Sequence, residues 1–204
     1  MPKQRTLELA DAMRDRQLVR FRRRFESSYV YGWVLHVGPR FFLLAYVGDG
    51  VRLDGFACFR ASDVKDFGPA PYAAFVEAAL KKRVERRPKK PRVSLANIGE
   101  LLLSAGRAFP LVAIHREQLD PDVCFVGRVL DVSGGRLSML EIGPDAVWED
   151  TPEEYRLSEI TRGDFGGDYE NALDLVGGAP PPRKAGDRSK RMTARRDLNR
   201  RPPA

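Results

Sequence analysis

Cysteine is nearly absent from this chain, with Cys58 and Cys124 the only two among 204 residues. Two thiols cannot build a disulfide scaffold, and they exclude every four-cysteine zinc site. Histidine is as scarce, limited to His36 and His115. No apolar run reaches the ~18–20 residues that a membrane-spanning helix needs, so no membrane partner is expected. The opening Met1-Pro2-Lys3-Gln4-Arg5 leads into a polar segment without the apolar core of a signal peptide. A cytoplasmic location is the expectation.

Catalytic patterns are missing too. No serine or cysteine stands in a nucleophile elbow. Asp164-Phe165-Gly166 spells the metal triplet of kinases, but no glycine-rich or catalytic loop accompanies it. Gly48-Asp49-Gly50 and Gly166-Gly167-Asp168 are turn chemistry without the strand-to-helix setting of a phosphate loop. Glu149, Asp150, Glu153 and Glu154 lack the alternating offsets and central glycine of a calcium loop. Neither an enzyme nor a bound cofactor or metal is expected.

Charge is abundant, and it is unevenly placed. The formal net charge of +7 divides into +10 over Met1–Arg92, −10 over Val93–Gly178 and +7 over Ala179–Ala204. Such asymmetry speaks of partners and solubility rather than of fold.

An internal duplication organises the chain. Tyr29–Val37 reads YVYGWVLHV and Cys124–Val132 reads CFVGRVLDV; an offset of 95 aligns Gly32 with Gly127, Val34 with Val129 and Leu35 with Leu130. Further on, Phe59-Arg60-Ala61-Ser62-Asp63-Val64 faces Tyr155-Arg156-Leu157-Ser158-Glu159-Ile160. Upstream, Leu18-Val19-Arg20-Phe21 faces Leu111-Val112-Ala113-Ile114. Each copy reads as a helix followed by about five short strands, with turn signals at Gly38-Pro39, Gly48-Asp49-Gly50, Ser133-Gly134-Gly135 and Gly143-Pro144-Asp145. In the second copy Ser94 is the expected N-cap of a helix with the stripe Leu95, Ile98, Leu101, Leu102 and Ala105. Gly32 and Gly127, each in mid-strand, suit a bend or bulge.

The expected fold is therefore mainly β (α+β): two tandem small antiparallel β-barrels, each preceded by a helix. Residues 1–70 form the basic first repeat, 71–92 an added helix and basic linker, 93–178 the acidic second repeat. Residues 179–204 are a proline-rich basic tail, expected to be disordered because it can bury too little to offset chain entropy. Phe75, Val76, Ala79, Leu80 and Val84 are the expected apolar face of the added helix, and Pro88 and Pro91 stop it.

A helix followed by strongly bent strands resembles the Sm and Sm-like barrels, with SH3-like barrels close behind; bacterial tandem-barrel proteins are similar. Ile160-Thr161-Arg162-Gly163 is similar to the hydrophobic-Arg-Gly signature that closes the Sm core and lines its RNA pocket, although copy one has Lys65-Asp66 at that place. The resemblance implies contact with RNA, and a role for Arg162 in it.

The residues point the same way by a separate route. Alternation along the first strand sets Arg20, Arg22 and Arg24 on one face, about 6.6 Å apart, a spacing suited to successive phosphates. Copy two has Ala113, His115 and Glu117 there, so the fold itself does not require arginine. Arg23 falls on the inward side and marks a bulge. Trp33 answers to Arg128 in the other copy, so an exposed face for stacking is expected, with packing against the neighbouring helix as the alternative. Lys81, Lys82, Arg83, Arg86 and Arg87, followed by Lys89 and Lys90, extend the basic surface. His36 and His115 answer to Asp131 and Arg22, which places both at the surface. Two functions stay open: a module contacting RNA or DNA phosphates, and a protein-interaction or self-association module pairing its basic and acidic halves.

Overall fold

Alternating side chains give this molecule a sheet with two buried faces. The computed structural model describes residues 2–181; the tail expected from residue 179 lies, beyond residue 181, outside the described residues. The first half runs α1 (Pro2–Arg14), β1 (Leu18–Arg23), β2 (Val30–Val37), β3 (Phe41–Gly48), β4 (Arg52–Arg60) and β5 (Val64–Pro69), followed by α2 (Ala73–Lys82). The second half runs α3 (Ile98–Ala108), β6 (Val112–His115), β7 (Cys124–Ser133), β8 (Arg136–Glu141), β9 (Glu153–Arg156), β10 (Arg162–Phe165) and α4 (Asp168–Gly177).

The two closed barrels expected from the sequence are not what forms. The ten strands make one antiparallel sheet in the order β5-β1-β2-β3-β4-β10-β6-β7-β8-β9. A 3-10 turn, Ala61–Asp63 or Leu157–Glu159, follows the fourth strand of each half and sends the fifth back to the first. The outer edge of β4 is therefore left open, and β10 of the other half takes it, pairing Arg162 with Phe59 and Phe165 with Phe56. Closure within a half would need that same edge.

Helices cover both faces. Leu9 and Ala12 of α1 pack with Val19, Phe21, Phe42, Leu44 and Phe59. Phe21 meets Phe42 and Phe59 edge-on, with ring centroids 5.3 and 5.1 Å apart. Burying one such ring contributes roughly 2–3 kcal/mol. On the opposite face of β1–β3, Val76 and Leu80 of α2 pack on Leu18, Trp33, Ala45 and Val47. In the second half Leu101, Leu102 and Ala105 of α3 pack on Val112, Ile114 and Met139, and Leu43 and Cys58 of the first half join that core. Leu173 of α4 covers Leu111, Ala113 and Val126. The core under α1 and the core under α3 thus lie on opposite faces of one sheet.

Local details follow from the residues. The α3 cap is Asn97, whose Oδ1 accepts the Glu100 N–H at 2.9 Å, while Ser94, the expected cap, accepts only from Ala96 at 3.3 Å. A Cβ at Gly32 would stand 2.2 Å from the Ala45 carbonyl oxygen, and one at Gly127 2.2 Å from that of Leu140. The register shifts just beyond each glycine, at Val34/His36 and at Val129/Asp131. Only glycine permits this approach of neighbouring strands. Helix α4 has no counterpart in the sequence reading. Its first turn is held by Asp54 of β4, whose Oδ1 accepts the Asp168 N–H at 2.8 Å.

Candidate nucleic-acid interface

Helix α2 is set down at both ends by specific bonds. The Ala70 N–H donates to the Leu18 carbonyl at 3.0 Å, starting the helix beside β1. At the far end Arg83 donates to the carbonyls of Gly50 and Val51 at 2.7 and 2.8 Å, and Glu85 accepts the Leu53 N–H at 2.8 Å. Past the helix the chain reverses at Val84, where φ is 62°, with Glu85 N–H bonded to the Leu80 carbonyl at 2.9 Å. This reversal brings the basic segment back along the helix.

A cavity of about 470 Å³ opens where it returns, with Trp33 and Leu80 in its wall and Arg16, Lys81, Arg86 and Arg87 around it. Glu77 and Glu85 also line it, so cations outnumber carboxylates four to two. Burial pushes the Arg87 pKa down, and the neighbouring charge of Arg16 adds to that against the pull of Glu77. Two like charges approach here. An anion seated between them would relieve the repulsion.

Trp33 is only 4% exposed and packs under α2, so it serves as cavity wall rather than as an open stacking face. Arg128 stands exposed at the matching place in the second half. Trp33, Lys81, Arg86 and Arg87, predicted from the sequence, do converge. Arg16 joins them and was missed, although its signal was legible: it lies two residues before Leu18 and four before Arg20.

Arg20 and Arg22 stand on the same face of β1 as Leu18, beyond the helix. Their guanidinium carbons lie 4.4 and 5.6 Å from the Tyr29 ring centroid. The Tyr29 hydroxyl donates to Asp66. That bond holds the Asp66 carboxyl below its ordinary range, and the two arginines add to the effect. Arg24 leaves the row. It lies past the end of β1 and pairs with buried Asp63 at 2.8 Å. The register of β1 against β5 shifts at Arg22/Arg23, turning Arg23 inward at the bulge.

Arg23 and Arg162 are instead built into the seam between the halves. Arg23, 1% exposed, donates to both Glu117 oxygens at 2.9 and 2.5 Å and to Glu26. Burial pushes the Glu117 carboxyl up, but the Arg23 fork outweighs it and holds the group below its ordinary range. Arg162, 9% exposed, holds Asp164 through Nε and Nη2, each at 2.8 Å. Both guanidinium groups lie over Phe59, 4.6 and 5.0 Å from its centroid. His115, expected at the surface, is 9% exposed and sits 3.1 Å from Asp164. Burial depresses its pKa and favours neutral imidazole, while Asp164 opposes that effect. Its sister position, Arg22, pairs with Asp66 of β5, the counterpart of β10, and stays exposed because β5 is the edge of the sheet whereas β10 lies inside it.

The remaining cations are spread out. Lys82, Lys89 and Lys90 are exposed, the first on the flank of α2 away from the cavity. Arg83 is committed to the β3–β4 turn. Cys58 and Cys124 are buried, and burial raises the Cys58 thiol pKa. Among the described residues no helix is long and apolar enough to cross a membrane. Comparison with protein-family models, with curated proteins and with solved structures finds no match to this chain in any of the three.

Proposed function

We propose that this chain is a non-enzymatic binding module that contacts RNA or DNA phosphates through the first-half face bearing Arg20, Arg22, Arg16, Lys81, Arg86 and Arg87. The observation that carries this reading is the gathering of Arg16, Lys81, Arg86 and Arg87 around the cavity walled by Trp33. Arg20 and Arg22 continue the same sheet face. Phosphate is the anion such a surface fits, since guanidinium forks match its oxygens and the four-to-two excess of cations is compensated. A distant kinship with the Sm-like family belongs to the same proposal, supported by a helix followed by five strands in each half.

The test is anisotropy of short labelled RNA and DNA strands across a salt series. The expected result is binding whose log–log salt slope is about −0.7 per neutralised phosphate on single strands and −0.9 on duplex. The double changes Arg20→Ser/Arg22→Ser and Lys81→Ser/Arg87→Ser should each weaken binding about tenfold or more and flatten the slope by about 1.4 on single strands and about 1.8 on duplex. Absence of binding at low salt, or variants that bind as the parent does, would sink the reading.

A second reading is self-association. The outer edges of β5 and β9 end the sheet and have no strand partner among the described residues. They are the fifth strand of one half and the fourth of the other, the same kinds of edge that meet in the β4–β10 ladder. Exposed Glu153 and Glu154 line β9, and exposed Lys65 lies on β5, so a second copy added head to tail would bring opposite charges together.

A further inference from the structure

Two large aromatic side chains stand uncovered on α2. Tyr72 at its N-cap is 72% exposed and Phe75 in its first turn is 65% exposed. The sequence pattern assigns Phe75 to the buried stripe, yet Val76 and Leu80 take that role at 9% and 3% exposure. An α-helix turns about 100° per residue. Glu77, Lys81 and Val84, which line the cavity, therefore occupy one flank of the helix, and Tyr72, Phe75 and Lys82 the other. Lys82 follows Phe75 by seven residues, two turns along the same flank and roughly 10.5 Å up the axis.

The register says what this second flank faces. Helix α2 lies over Leu18, which pairs with Trp33, and the cavity flank looks toward Arg16. The opposite flank consequently looks along β1 toward Arg20, which pairs with Tyr31, and Tyr31 pairs in turn with Val47 near the β3–β4 turn. The bonds from Arg83 to Gly50 and Val51 of that turn agree with this direction. Neither acidic residue of the segment 72–87 lies on the aromatic flank: Glu77 lines the cavity, and Glu85 lines it too while accepting the Leu53 N–H.

We infer that the Tyr72–Phe75 flank of α2, with Arg20, Arg22 and Lys82 beside it, is a stacking platform for single-stranded nucleic acid. Unpaired bases stack on the two rings, and the cations take the phosphates. The inference rests on the nucleic-acid reading above and narrows it to strands whose bases are free, since a duplex keeps its faces stacked inside. Charge favours this occupant over an apolar protein face. Lys82 stands on the aromatic flank and neither acidic residue of the segment does, Asp66 beside Arg20 and Arg22 is already bonded to Tyr29, and a partner helix would seek a continuous apolar stripe instead.

The full chain is titrated with short labelled oligothymidylate, oligouridylate and a duplex, alongside Tyr72→Ala, Phe75→Ala and Phe75→Trp, with light scattering and thermal melting on each. Substitution of such exposed rings should leave melting unchanged. The expected result is single strands bound more tightly than duplex, a loss of about tenfold in single-strand affinity for each alanine change, little change on duplex, and recovery in Phe75→Trp. If the parent binds both forms and the alanine variants match it on single strands, the platform is overturned while the phosphate reading stands. If the parent binds neither at low salt, both fall. Alanine variants that bind normally but change the molar mass would make this flank a self-association face and overturn the inference.

Discussion

Glu141 shows what one side chain does when a fold closes over it. Burial raises its pKa to about 7; the Tyr155 hydroxyl, which donates to it, pulls the other way, and Glu153 and Glu149 add to the rise. A carboxyl raised in the folded state stabilises the fold fully below its unfolded value near 4.5, and that contribution is lost as pH climbs through 7. The loss is on the order of 3 kcal/mol. Glu141→Gln keeps an acceptor for Tyr155 and removes the titration. The difference in melting temperature between variant and parent should therefore grow from pH 5 to pH 8, in favour of the variant. A constant difference over that range would refute the assignment.

Among elements, the seam between β4, β10 and β6 joins hydrogen-bonded backbone to buried charge. Glu117→Ala leaves Arg23 inside with Glu26 alone and should cost about 3–5 kcal/mol, read as a shift in the urea midpoint. Arg23→Met with Glu117→Met removes both charges and should cost clearly less than Glu117→Ala by itself. Little of this seam was legible beforehand. The alternation of Val19, Phe21, Val34 and Phe42 announced the first-half strands, and Leu101, Leu102 and Ala105 announced α3. β10 is not announced in this way, because Arg162, Gly163 and Asp164 carry no apolar alternation; their faces are set by the other half. Helix α4 offers a single buried leucine, Leu173, among acids, too thin a stripe to see. Trp33 was expected to be open by comparison with Arg128, but a sister residue misleads here: α2 reaches over Trp33, while α4 on the same face of the other half covers Leu111, Ala113 and Val126 and leaves Arg128 exposed. The added helix and its basic end were plain from Pro71, Pro88 and the charge run between them.

At the scale of the whole molecule, the basic half faces an acidic half across one continuous sheet. If the β9 and β5 edges of separate copies join, static light scattering at low salt should give a mass above 23.0 kDa that falls toward it as salt screens the charges. Lys65→Glu should then shift the equilibrium toward the single chain. A mass that stays at one chain at both salt extremes removes the self-association reading and leaves the nucleic-acid one.

The position of β10 also has a consequence for how the protein is made. Among the described residues, the last strand synthesised lies in the interior of the sheet, between β4 and β6. On a ribosome the first half emerges with the β4 edge bare, and that edge waits for residues 162–165, just over a hundred positions later. At translation rates of about 5–20 residues per second the wait is roughly 5–20 s. During it Cys58 and Leu43, destined for the second half's core, have nothing to pack against. The nascent first half therefore carries an unpaired strand edge and an uncovered apolar patch until β10 arrives.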